Sequence, residues 1–233
     1  MSEKPTVLTP DGVVESDEGE ENKEKLTSLV VARDILPETL LIIPLFDRPM
    51  FPKMMGPIIV EDPRIQKSIL EAQQKGVPIY LGLLLVRPSE DGIATFPETI
   101  KDFFSVGVAA KVVQISTITP GEPLQLVAQA QERFTVEKLI KEKPVFRALV
   151  SYQFNDVPES SDELKAYSVA IIDCIKELVT LNPLFKEGLG LLLERINVSD
   201  PSALADFAAS MTTSSGAELQ VILETANVRK RLE

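Results

Sequence analysis

Leu40-Leu41-Ile42-Ile43-Pro44-Leu45-Phe46-Asp47-Arg48-Pro49-Met50-Phe51-Pro52-Lys53-Met54-Met55-Gly56-Pro57-Ile58-Ile59-Val60 is the stretch whose reading decides the fold. Two short apolar runs rich in β-branched residues flank a segment punctuated by Pro44, Pro49, Pro52 and Pro57. Proline fixes φ near −65° and cannot donate a ladder hydrogen bond, so the segment between the runs is a shaped connection. The stretch predicts strand, crossing loop, strand.

Outward from it, the composition narrows the function classes. The chain has 233 residues, 44% of them hydrophobic, enough for a substantial core. No apolar run approaches the roughly 18 to 20 residues of a spanning helix, and the N-terminus is acidic and polar where a signal peptide is basic and then apolar. A soluble, cytoplasmic protein with no membrane partner is expected. There is no histidine, which removes histidine-based triads, general bases and metal ligands. The single cysteine, Cys174, has no internal disulfide partner. A formal charge of −11 works against non-specific attraction to nucleic acid or anionic lipid.

Residues 1–34 carry Glu15, Asp17, Glu18, Glu20, Glu21 and Glu24 among scattered apolar residues, and read as a disordered acidic leader. After the organising stretch, Asp62 as cap, Pro63 at the first helical position and Gly76 as left-handed stop delimit one helix, with Ile65 and Ile69 on its apolar side. Ile79 to Val86 suits a strand buried on both faces. Residues 87–102 read as a long surface loop whose acids Glu90, Asp91 and Glu98 form a solvated edge. Strands are then expected at 103–118, 124–130, 133–139 and 145–154, a series that argues for a twisted, partly closed barrel. From residue 157 the period becomes helical. Ser160 with Glu163 makes a capping box before a stripe of Leu164, Tyr167, Ile171 and Ile175, and further helices open at Asn182-Pro183, Asp200-Pro201 and Ser215-Gly216. Cys174 is expected to be a small buried residue beside that stripe.

Several of these patches resemble the N-terminal domain of the Lon family of ATP-dependent proteases. They are Pro44-Leu45-x-Asp47, Phe51-Pro52-x-Met54 and Pro57-Ile58; then Phe104, Val106, Gly107 and Ala110; then Arg133-Phe134. In the C-terminal third they are Asp200-Pro201, Leu204, Ala205 and Asp206, followed by Leu219, Gln220, Leu223, Glu224, Val228, Arg231 and Leu232. The chain departs from the family pattern at Phe46, where an arginine is usual, at Glu61-Asp62, where Gly-Arg is usual, and at Ala130, where glycine is preferred. The resemblance implies an α+β chain: a β-rich, PUA-like pseudo-barrel over 35–156, then a helical bundle over 157–233 leading into a long helix.

The resemblance also implies a function: a non-catalytic N-terminal domain of a Lon-type serine protease. Such a domain engages unfolded, damaged or tagged proteins and supports assembly of a hexamer. Its parent enzyme uses ATP and magnesium, but nothing here matches the G-x-x-x-x-G-K-[ST] phosphate loop, and no serine–lysine pair is a credible dyad. No catalytic, cofactor or metal residue is therefore expected in this chain, which reads as a piece of a longer protein. Among its own residues, Phe46, Met50, Phe51, Met54 and Met55 are the candidate substrate contacts, because thioethers and aromatics on a loop repack around many sequences. The same residue types also fill cores, and the sequence leaves both roles open. Asp47, Arg48, Asp102 and Glu132 read as structural or exposed charges. The alternative is a freestanding domain of this architecture that binds a small ligand or a partner protein.

Overall fold

The computed structural model describes residues 36–89, 92, 94–117, 122–141, 145–153, 162–181 and 200–233. The chain divides into two units, Met1–Leu36 and Pro37–Glu233. Only Leu36 of the first is described, so the expected acidic leader lies outside the described residues, as do the expected boundary at 156/157, the Ser160 cap and the Asn182-Pro183 helix start.

The second unit is sheet-rich with several helices. Its strands are β1 (Thr39–Leu45), β2 (Met55–Val60), β3 (Tyr80–Leu85), β4 (Val106–Thr117), β5 (Leu124–Lys141) and β6 (Arg147–Gln153). Helix α1 (Pro63–Gln74) lies between β2 and β3, and α2 (Asp162–Leu181), α3 (Pro201–Met211), α4 (Gly216–Glu224) and α5 (Val228–Leu232) follow the sheet. The strand order is β2-β5-β4-β3-β1-β6, with β6 also paired to β5. The pairings β1–β3–β4–β5–β6 therefore return to β1, and β2 hangs on the first half of β5 outside that circuit. β1 and β3 run parallel, with β2 and α1 forming the connection.

β5 differs from expectation. Strands were expected at 124–130 and 133–139, yet one strand of 18 residues runs through Gln131 and Glu132. The bending that a turn would have supplied is taken up by register shifts in both its pairings, with extra residues in β5 itself opposite Val108/Ala110 of β4 and at Val136/Lys138 against β6, and in β4 at Val112/Gln114. No turn forms at Ala130. Its amide donates to the Met54 carbonyl and its carbonyl accepts from the Lys53 amide.

The core follows from this arrangement. β1 is buried on both faces, Leu41 and Ile43 packing with Ile58, Val60, Leu81 and Leu83, and Leu40 and Ile42 with Leu84, Phe134 and Phe146. Ile65 and Ile69 carry the apolar side of α1 into the first of these groups. The helix is bounded as its sequence requires: Asp62 accepts from the Arg64 amide, Pro63 opens the first turn, and Gly76 takes φ +67°.

Among the described residues, α3 touches each of the other C-terminal helices. Ala205 packs with Leu164 of α2 and with Val228 and Leu232 of α5, Leu204 and Phe207 pack with Ile175, and Ala209 shares a group with Leu219 and Leu223 of α4. Residues 216–232 fold as two helices. Thr225 is extended, its hydroxyl turned back onto the Val221 carbonyl, and Asn227 caps α5 by accepting from the Lys230 amide. Cys174 is exposed, not buried. It is adjacent to buried Ile175 and hence about 100° round the helix from it. Among the described residues no helix is long and apolar enough to cross a membrane.

Candidate functional site

The crossing loop between β1 and β2 is held at several points. Its Arg48 guanidinium donates to the Ser210 and Thr212 carbonyls at 3.2 and 2.8 Å, placing a cation on the C-terminus of α3. At the other end of α3, the Lys53 ammonium meets the carboxylate of Asp200, the residue that caps the helix by accepting from the Ser202 and Ala203 amides. One loop thus grips one helix at both ends. Lys53 takes φ +65°, a costly conformation for a side-chain-bearing residue, and its amide bond to Ala130 holds it there. Burial pushes the Asp200 carboxyl up, but Lys53 and the two capping amides outweigh it, and the net shift is downward. Nearby Glu132 goes the other way, because burial outweighs the attraction of Lys53 and Arg133.

Deeper under the same loop lies a buried charge cluster. Arg133 of β5 donates through both terminal nitrogens to Asp206 of α3 at 2.9 and 2.6 Å, and through Nε to the Leu223 carbonyl. Arg231 of α5 reaches the same carboxylate at 2.7 Å and the Ser202 hydroxyl at 3.0 Å. All three charged side chains are almost fully buried. Burial lowers the Arg231 pKa, Asp206 opposes the shift, and the like charge of Arg133 adds to it. The cluster ties sheet to helices and offers no opening to a ligand.

The open feature lies where the loop leaves β1. A groove of about 500 Å³ is walled by Ile43 and Pro44 of β1, Ile59 of β2, the start of α1, and two aromatic rings. Those rings, Phe46 and Phe96, are 46% and 48% exposed, with centroids 6.4 Å apart and planes tilted by 38°. On the rim, Asp62 and Arg64 pair with each other, which together with the helix-capping bond draws the Asp62 carboxyl below its usual range in spite of burial, which pushes it up. Glu61 stands beside them, exposed and without an ion pair among the described residues.

The structure separates the five expected contacts. Phe46 is on the groove. Met55 is 49% exposed on β2, on the same strand face as Pro57 and Ile59. Phe51 is 1% exposed, packed with Val106, Val108 and Leu219, and is unavailable to a partner. Met50 and Met54 are partly buried against that group. The sequence reading missed Phe96 and Ile59. Phe96 had a signal, since it is the aromatic residue in a loop otherwise read as acidic and solvated.

The sequence has no phosphate loop, and among the described residues no group of three or more acids or cysteines is placed to hold a metal. A family model described as "ATP-dependent protease La (LON) substrate-binding domain" matches residues 39–233. The chain is 38% identical over 198 residues to Lon protease of Protochlamydia amoebophila, covering 85% of this chain and 23% of that protein. It is 34% identical over 229 residues to Lon protease 1 of Syntrophotalea carbinolica, covering 97% and 26%. The chain therefore spans about a quarter of the length of these curated relatives. Among solved structures, the N-terminal domain of Mycobacterium avium complex Lon protease superposes with a TM-score of 0.58 at 24% identity, covering 83% of this chain and 94% of that one.

Proposed function

Because this chain belongs to the family of ATP-dependent protease La (LON) substrate-binding domains, we propose that it engages unfolded or tagged proteins on behalf of a longer Lon-type protease. In this reading it performs no catalysis. ATP and magnesium chemistry and serine–lysine peptide cleavage belong to other parts of the parent, whose hexamer the chain helps to assemble in the cytoplasm. Weak contacts repeated around a hexamer give strong retention, since each further contact is made at high effective concentration. We take the circuit of five strands as a PUA-like pseudo-barrel and α2 to α5 as the helical bundle that carries it. No nucleic acid or membrane is assigned as a partner.

One observation carries the reading. Phe46, Phe96 and Ile59 are large apolar side chains left about half exposed or more around one groove, with Met55 further along the same β2 face. A soluble surface keeps such a contiguous patch where it meets a partner. The test mixes the chain with one protein in native and permanently unfolded forms. Binding of the unfolded form alone, at micromolar concentration, is expected. Equal binding to both, or to neither at high micromolar concentration, overturns the reading.

A second reading is a small-ligand domain, favoured by a groove volume within the roughly 300 to 1,000 Å³ usual for such sites. A rise in melting temperature with a low-molecular-weight compound, lost in Phe46→Ala, would favour it.

A further inference from the structure

The groove has a polarity of its own. Ala130 bonds to residues 53 and 54, so strand alternation turns the backbone groups of Gly56, Ile58 and Val60 toward β5 and those of Met55, Pro57 and Ile59 toward the open edge. On β1, the Ile42 amide bonds to the Phe146 carbonyl, and Pro44, two residues on, faces the same way with no N–H to give. The groove therefore meets a visitor with the carbonyls of Pro44 and Ile59 and the Glu61 carboxylate as acceptors, and with the Ile59 amide as a donor on the open edge of β2. The guanidinium of Arg64 is committed to Asp62. The prolines make the addition of a full strand a poor match, so side chains must do the recognising.

We propose that the groove takes an extended polypeptide segment in which a large apolar side chain, packed against Phe46 and Phe96, lies next to a lysine or arginine that meets Glu61. The apolar half follows from the exposed rings and Ile59. The basic half follows from charge complementarity, because Glu61 is the rim charge without a partner among the described residues and the chain carries −11 overall. The inference rests on the substrate-engaging reading and narrows it: clients are selected by a basic residue beside an apolar one, not by apolarity alone.

The test uses two fluorescent peptides of equal length, one with Phe-Arg at its centre and the other with Phe-Glu, titrated into the whole chain at low salt. The Phe-Arg peptide should bind about fivefold more tightly, an exposed charge contact being worth little more. Glu61→Lys should invert that order. Phe46→Ala should weaken both peptides, and both exposed-site variants should keep the melting temperature of the parent chain. Equal affinity for the two peptides, or an order unchanged by Glu61→Lys, overturns the inference. An unfolded protein titrated alongside separates the two levels: if it binds while the peptides are not distinguished, only the charge selection fails, and if nothing binds, the substrate-engaging reading fails with it.

Discussion

At the scale of single residues, the controlling group is Asp206. It neutralises two buried arginines that approach from different elements, Arg133 from β5 and Arg231 from α5. Removing one member of a buried charge set strands the others without water, whereas replacing the whole set by apolar residues does not. Asp206→Asn should therefore destabilise the chain by about 3–5 kcal/mol in urea unfolding, while Asp206→Leu combined with Arg133→Met and Arg231→Met should cost far less. A loss under about 1 kcal/mol for Asp206→Asn would show that the cluster does not hold sheet and helices together. Glu132 supplies a pH test. Its folded pKa is raised by burial, so the native state holds its proton more tightly than the unfolded chain does, and its contribution is lost as pH rises through the folded value. Glu132→Gln should be more stable than the parent at neutral pH, with the difference vanishing below the ordinary carboxylate range. Asp200, with its lowered value, should show the opposite sign, its contribution fading as pH falls through the folded value. Arg133, Asp206 and Arg231 are all visible in the sequence as members of separate motifs. Their meeting is not, because it depends on α3 and α5 docking on β5 from 73 and 98 residues away (206 − 133 and 231 − 133).

At the scale of elements, the caps decide where helices begin and the crossing loop decides where α3 sits. Asp200 both caps α3 and receives Lys53, so Asp200→Ala should cost about 1–2 kcal/mol in chemical denaturation. Gly216 gives a sharper test. Alanine usually improves a helix by up to about 1 kcal/mol over glycine, yet here an added Cβ would stand 2.2 Å from the Asp47 carbonyl oxygen. Gly216→Ala should therefore destabilise by about 1–3 kcal/mol, and a stabilised variant would contradict the close seating of α4 on the loop. The helix ends at Asp62, Gly76, Asp200 and Ser215 are legible in the sequence because each is set by local chemistry. The unbroken β5 was not, since bulges within β5 and in its partner β4 replace the turn that Gln131 and Glu132 suggested. The break at Thr225 was hidden for a related reason. The apolar spacing of Leu219, Leu223, Val228 and Leu232 falters there only by one residue, a step of five between Leu223 and Val228, while a side-chain bond to Val221 ends the helix.

At the scale of the whole molecule, an acidic chain presents, among the described residues, an apolar groove whose walls include β1 and β2, strands that do not pair with each other. Phe46 was legible as a candidate because its neighbours are prolines and methionines. Phe96 and Ile59 join it only when residues 50 and 13 positions away (96 − 46 and 59 − 46) are folded together. A charge of −11 also sets the response to salt. If basic clients are drawn in, their affinity should fall as ionic strength rises and that of acidic clients should not. The account turns on whether unfolded protein occupies this groove, and amide hydrogen exchange of the chain with and without a permanently unfolded client tests that most directly. The Ile59 amide, on the open edge of β2, and the amides of Phe46 and Phe96 should exchange readily in the free chain and slow in the complex. Protection confined to α2–α5, with exchange at residues 46, 59 and 96 unchanged, would contradict it.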